Sequence, residues 1–206
     1  MKNKVKQYIM TRLPARFLKY KEKSTDTIYL TFDDGPHISV TPRVLDILNE
    51  YNAKASFFII GEKAASLPNI IKQTHKLGHV IANHSYNHKK FSALSLNHQL
   101  AEVELTNSTI KDITNEDCTV FRPPGGIWSL RLLLAIIKRK MVLVNWSRDS
   151  LDCRNKTAQE IIQLFKTQPV KGGDIILFHD DDDKVCEILQ EILPYWRKQG
   201  FSFNRL

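Results

Sequence analysis

The chain has 206 residues, an apolar fraction of 42%, a charged fraction of 25% and a formal net charge of +8. That length suits one domain with a sizeable core. The composition excludes a disordered or fibrous chain, and no apolar stretch approaches the ~20 residues of a membrane-spanning helix. Cys118, Cys153 and Cys186 lie far apart with no C-x-x-C pair, which excludes a fully paired disulfide framework and a structural zinc knot and favours a reducing compartment.

Residues 1–24 read as a basic arm, with Lys2, Lys4, Lys6, Arg12, Arg16, Lys19, Lys21 and Lys23 set against Glu22. The plain expectation is a solvated segment; the sharper one is peripheral contact with an anionic membrane. Nucleic acid is not expected as a partner, because without the arm little net charge remains. The arm lacks the ~7–15-residue apolar run of an export signal, so the expected location is the cytoplasm or the inner face of a membrane. Residues 5–20 read as at most a weak amphipathic surface helix, opposed by Pro14.

From residue 25 onward strands and helices alternate. Strands are expected at Thr27–Phe32, Ala55–Ile60, His79–Ala82, Cys118–Arg122, Met141–Trp146, Asp174–His179 and Phe201–Phe203. Helices are expected at Thr41–Tyr51 (Pro42 in its first turn), Glu62–Leu77 (closed by Gly78), Ser95–Ile113, Ser129–Lys140, Thr157–Lys166 and Val185–Gln199. This order predicts one α/β domain over residues 25–206, with a parallel sheet and helices outside. Six or seven such units fit a barrel better than an open sheet. Polar residues cluster at predicted strand ends, which is where a parallel barrel assembles its chemistry.

Thr31-Phe32-Asp33-Asp34-Gly35 ends the first strand with two adjacent carboxylates. Successive side chains leave a strand on opposite sides, so one can bind a metal while the other handles a proton. His84 and His88 are four apart, a spacing that puts both on one face of a helical turn. With Asp34 they make a three-ligand set suited to zinc or a neighbouring first-row ion, with open positions for water and substrate. Asp33 is then free to take a proton. Arg122 could hold it in place and keep it ionised. His179, at the end of an apolar strand, has the intrinsic pKa for acid–base work. Either Asp149 or Asp152 could orient it. Pro123-Pro124-Gly125-Gly126 offers backbone amides that can approach an oxyanion.

These motifs occur in order: TFDDG at 31–35, His-Ser-x-x-His at 84–88, Arg-Pro-Pro-x-Gly at 122–126, Asp-Ser-x-Asp at 149–152 and Leu-x-His at 177–179. On them the chain resembles the polysaccharide deacetylases of the NodB-homology family, carbohydrate esterase family 4. The resemblance implies a distorted (β/α)7 barrel and metal-dependent removal of acetyl groups from N-acetylated sugars, with chitooligosaccharide and peptidoglycan among the candidate glycans. By the family pattern Asp33 is the base, and Asp34, His84 and His88 hold the metal, usually zinc, with cobalt or another first-row ion as alternatives. Arg122 positions the base, and His179 is the acid. Asp152 is its partner, with Asp149 second choice, and Gly125, Pro124 and Leu177 surround the substrate and oxyanion. The alternatives are an O-acetyl xylan-type esterase and a catalytically weak glycan-binding member. The chain departs from the pattern at Gly125, where an aromatic residue is usual, and at Cys153, where tryptophan is usual. Both changes remove apolar surface near the substrate.

Overall fold

The computed structural model describes residues 13–206. Its strands are β1 (Leu18–Lys19), β2 (Thr27–Asp33), β3 (Ser56–Ile59), β4 (Val80–Asn83), β5 (Val120–Phe121), β6 (Val142–Val144), β7 (Arg148–Asp149), β8 (Ile175–His179) and β9 (Ser202–Asn204). Its helices are α1 (Val40–Glu50), α2 (Gly61–Ser66), α3 (Pro68–Lys76), α4 (Leu96–Thr114), α5 (Leu130–Lys138), α6 (Ala158–Thr167) and α7 (Lys184–Lys198). The strands form one curled sheet in the order β1-β6-β5-β4-β3-β2-β8-β7, with β9 paired to the first half of β2. All the strand pairs are parallel. This is the expected distorted α/β barrel, with its strand ends gathered at one rim.

Alternation along β2 shows how the sequence sorts itself. Ile28, Leu30 and Phe32 are fully buried in the large core shared with the helices. Tyr29 packs with Phe58, Ala82, Val144 and Ile175 on the barrel's inner side. Thr31 and Asp33 follow Tyr29 at spacings of two and therefore share that inner face. Phe32 stacks between Phe57 and Phe178, at centroid distances of 4.9 and 5.8 Å. Such contacts add to area burial worth about 25 cal/mol per Å² and fix the register of the three central strands.

Several helix starts carry their expected signals. The hydroxyls of Ser95 and Ser129 accept from His98 N and Leu132 N, and Thr157 and Glu160 form a reciprocal capping box.

The structure departs from the expected elements in several places. The single helix Glu62–Leu77 is two helices, because Leu67 leaves the helical region (φ −128°, ψ 51°) before Pro68, which opens α3. The strand over Cys118–Arg122 shrinks to two residues. The two-residue β7 at Arg148–Asp149 carries no periodic signal. The basic arm is not wholly outside the fold: Leu18, 2% exposed, pairs with Leu143 in β6. Glu22 N donates to Gly173 O at 2.8 Å. Gly173 lies at φ +83°, where a Cβ would come within 2.0 Å of the Glu22 carbonyl oxygen, so this crossing requires glycine. The surface helix expected over residues 5–20 falls partly outside the described residues; within them, Leu18–Lys19 is a strand. No helix of the described residues is long and apolar enough to cross a membrane.

Candidate active site

Register brings the predicted residues together. Asp33 pairs with His179 across β2 and β8 and with Phe58 across β2 and β3. Ile59 pairs with Asn83, and Asn83 with Phe121. The residues just beyond these ends, Asp34, His84 and Arg122, therefore meet over the same rim.

Arg122 is fully buried and stacks over Phe58, its guanidinium carbon 3.9 Å from the ring centroid. Its Nη1 donates to Asp33 Oδ1 at 2.6 Å and to the Thr31 hydroxyl at 2.9 Å. Thr31 in turn donates to Ile176 O. A buried guanidinium with these partners has one available orientation, and it holds Asp33 in one as well. Burial pushes the Asp33 carboxyl above the ordinary carboxylate range, against the pull of Arg122, His179 and His88. Asp33 Oδ2 remains free of Arg122 and lies 3.5 Å from His84 Nε2.

His84 is buried. Its Nδ1 donates to the carbonyl of Arg122 at 2.8 Å, which leaves Nε2 as a lone pair facing the carboxylates. Burial drives its pKa down to about 3, against the attraction of Asp34, so the ring is neutral at ordinary pH. Asp34 Oδ1 lies 3.5 Å from His84 Nε2 and 3.2 Å from His88 Nε2. That oxygen is buried and takes no hydrogen bond. An orphaned carboxylate oxygen aimed at a neutral imidazole lone pair is costly by itself and fits a cation. Among the described residues, Asp34, His84 and His88 form a group that could hold a metal ion. The nitrogen and oxygen donor set suits a first-row divalent ion.

The helical turn expected for His84–His88 is absent. Both lie in the loop after β4, where Ser85 and His88 have φ of +70° and +51°, and Asp34 itself is at +71°. Non-glycine residues in that region cost about 1–3 kcal/mol each and persist where surrounding bonds over-determine them. Those bonds are visible. Glu102 Oε2 on α4 accepts from Tyr86 N and Asn87 N, both at 3.0 Å. Asn83 Oδ1 accepts from Ser85 N at 2.8 Å. Lys63 donates to the carbonyl of Asp34 at 2.7 Å. No sequence signal marked Asn83, Glu102 or Lys63. Thr31 was legible, since it stands two before Asp33 on the same face.

On the other side of the cleft, Asp152 Oδ1 accepts from His179 Nδ1 at 2.7 Å and Oδ2 accepts from His179 N at 2.8 Å. Burial disfavours the imidazolium, but the Asp152 hydrogen bond and charge, with Asp33 and Asp34, outweigh it and raise His179 to about 9. Asp149, the second choice as partner, is not beside the ring; its Oδ1 accepts from Leu151 N and shapes the turn that delivers Asp152. Leu177 is a buried β8 residue whose carbonyl accepts from Ser150 N. Pro124 is buried, and Gly125 is exposed at φ +61°, a conformation open to glycine at low cost. Asp180, the first of four consecutive aspartates at 180–183, is fully buried; it accepts from the Thr41 hydroxyl at 2.5 Å, and burial raises it to about 7. A cleft of about 460 Å³ opens beside these residues, bounded by Asp34, Asp152, Cys153 and His179 among others.

A parallel α/β barrel whose rim carries a two-imidazole, one-carboxylate cluster, a clamped carboxylate and a carboxylate-bound histidine is a framework suited to a hydrolase with a candidate metal site. Comparison with known proteins narrows it. The family model "Polysaccharide deacetylase" matches residues 20–143. A peptidoglycan-N-acetylglucosamine deacetylase of Bacillus cereus is 35% identical over 92% of this chain and 91% of its own length. A chitooligosaccharide deacetylase of Azorhizobium caulinodans is 36% identical over 89% and 94%. A crystal structure of a peptidoglycan N-acetylglucosamine deacetylase, in complex with a naphthyl-substituted N-hydroxybenzamide, superposes with a TM-score of 0.87 at 28% identity, covering 93% of this chain and 91% of that one. The chain belongs to the polysaccharide deacetylase family, the NodB-homology carbohydrate esterases, and is a hydrolase of that family.

Proposed function

We propose that the protein is a metal-dependent deacetylase acting on N-acetylglucosamine residues of a glycan, releasing acetate and leaving a free amine. The observation that carries this reading is the unpaired Asp34 Oδ1 facing His84 Nε2 and His88 Nε2, one residue from a carboxylate clamped by buried Arg122. The names and substrates of the two relatives above support the choice of sugar.

Asp34, His84 and His88 would hold the ion, most naturally zinc. When bound, it supplies Lewis-acid polarisation of the acetyl carbonyl and makes a water acidic enough to attack near neutral pH. Asp33 Oδ2, the oxygen not engaged by Arg122, receives the proton of the attacking water. Arg122 holds Oδ1 and so aims Oδ2. The Gly125 amide is the backbone donor for the tetrahedral oxyanion. His179, charged at neutral pH through Asp152, delivers a proton from Nε2 to the leaving nitrogen while Nδ1 stays on Asp152. The cation is needed because an amide nitrogen leaves only when protonated.

The test is acetate release from chitooligosaccharides, peptidoglycan fragments and acetylated xylan, before and after chelation and with zinc or cobalt restored. Release from the N-acetylated glycans that disappears on chelation and returns with metal is expected. Release from acetylated xylan alone would reassign the enzyme to ester hydrolysis, and unchanged release after complete metal removal would refute metal dependence.

A further inference from the structure

The cleft wall opposite Asp34 carries a second set of ligating atoms that the mechanism does not use as such. A carboxylate oxygen of Asp152, the Cys153 sulfur and a ring nitrogen of His179 all lie within 4.8 Å of one another. Tetrahedral zinc with sulfur, nitrogen and oxygen ligands spaces its donors by ~3.5 Å, so the group is within about an ångström of a binding geometry. Asp152 Oδ1 and His179 Nδ1 already lie 2.7 Å apart, so an ion would replace the Nδ1 proton between them, and the exposed Cys153 side chain has the most freedom to close on it. The group lines the same open cleft as Asp34, so an ion has access and room for a water as fourth ligand.

We propose that Asp152, Cys153 and His179 form a second, thiolate-containing divalent-ion site, and that its occupation by zinc inhibits the enzyme. The donor chemistry sets the ion class: thiolate with imidazole selects zinc or cobalt over magnesium or calcium. Partial desolvation of the thiol and the carboxylates of Asp152 and Asp149 raise the Cys153 pKa, so the thiol is protonated before an ion arrives. Binding therefore releases the thiol proton and the imidazolium proton to solvent, and the site fills at higher zinc concentration than the Asp34–His84–His88 group. The inhibitory consequence rests on the role proposed above for His179, because an ion on Nδ1 displaces the Asp152 contact that keeps the ring charged, and the neutral, metal-bound imidazole is a poor proton donor at Nε2.

The experiment titrates metal-free wild-type protein, Cys153→Ser, and the double variant His84→Ala/His88→Ala with zinc and with cobalt. Bound metal is counted after gel filtration, and the thiolate-to-cobalt charge-transfer absorption is recorded. Two ions per wild-type chain, one in Cys153→Ser, and a thiolate band that survives in the double histidine variant are expected. Acetate release by the wild type should fall ~100-fold or more between one and two equivalents of zinc, the loss that follows removal of a general acid, and Cys153→Ser should escape that fall. A single ion in the wild type, a band that persists in Cys153→Ser, or a band lost with His84 and His88 would each overturn the second site. Binding is read without turnover, so a chain that takes two ions yet releases no acetate under any condition sinks the functional reading and leaves the site standing. Full activity with both sites filled overturns the inhibition.

Discussion

Asp152→Asn is the substitution whose consequence can be worked furthest. The carboxylate holds His179 through two hydrogen bonds, to Nδ1 and to the backbone, and the pair is shielded, with the His179 side chain 13% and the Asp152 side chain 4% exposed. His179 rises from 6.5 to about 9. At ~1.36 kcal/mol per tenfold change in proton affinity, the folded chain favours the imidazolium by about 3 kcal/mol. Because the folded value lies above the unfolded one, this stabilisation is fully present below pH 6.5 and is lost as pH rises through about 9. Asparagine keeps one oxygen acceptor and removes the charge, and burial, which lowers His179, remains. The His179 resonance in carbon-13-labelled, metal-free protein should therefore titrate near or below its ordinary value in the variant. Urea unfolding between pH ~6 and pH ~10 should cost the wild type up to about 3 kcal/mol more than the variant, other groups being common to both. In the metal-loaded enzyme the variant should lose kcat at neutral pH, because the imidazole is neutral where a donor is needed. An unchanged His179 titration in Asp152→Asn would refute the attribution to this pair.

Asp33→Asn should lower turnover by roughly 10²–10⁴-fold, the range for losing a general base, while metal content measured by elemental analysis stays at the wild-type level. His84→Ala or His88→Ala should abolish tight metal binding, and chelator-competition titrations with retained metal would reassign those rings. Arg122→Ala leaves Asp33 buried without its partner, so a loss of about 3–5 kcal/mol in urea unfolding is expected, together with slowed catalysis and retained metal. Glu102→Ala removes the acceptor of the Tyr86 and Asn87 amides, so metal affinity should fall ~10–100-fold through misplacement of His84 and His88, with circular dichroism unchanged.

The site was legible in the sequence to the extent that strand alternation and strand ends are local properties. Thr31 and Asp33 share a face because they are two apart, and Asp33 and Asp34 diverge because they are adjacent. Five polar motifs at strand ends of a βα chain define a rim. Local pattern failed wherever a distant contact overrode it. H-x-x-x-H implies a helical turn only if nothing else holds it, and here Glu102 and Asn83 hold a left-handed loop instead. Asp180 stands in a run of four aspartates with no local signal of burial, yet it is buried beneath Gly35 and Thr41.

By itself the sequence determined the residue types, their order and the alternation of element periods, and with them the fold class and the donor chemistry. Tertiary structure alone decided that β1 joins the sheet out of a basic stretch and that Cys153 faces the same cleft as Asp34, and it supplied the contacts by which Asp152 meets His179 and Arg122 reaches Asp33. The physical reason is register. Periodicity tells each strand which face is apolar, but the distances between residues far apart in the chain are set by which strands pair and at which hydrogen bond. Only packing of the whole core makes that choice.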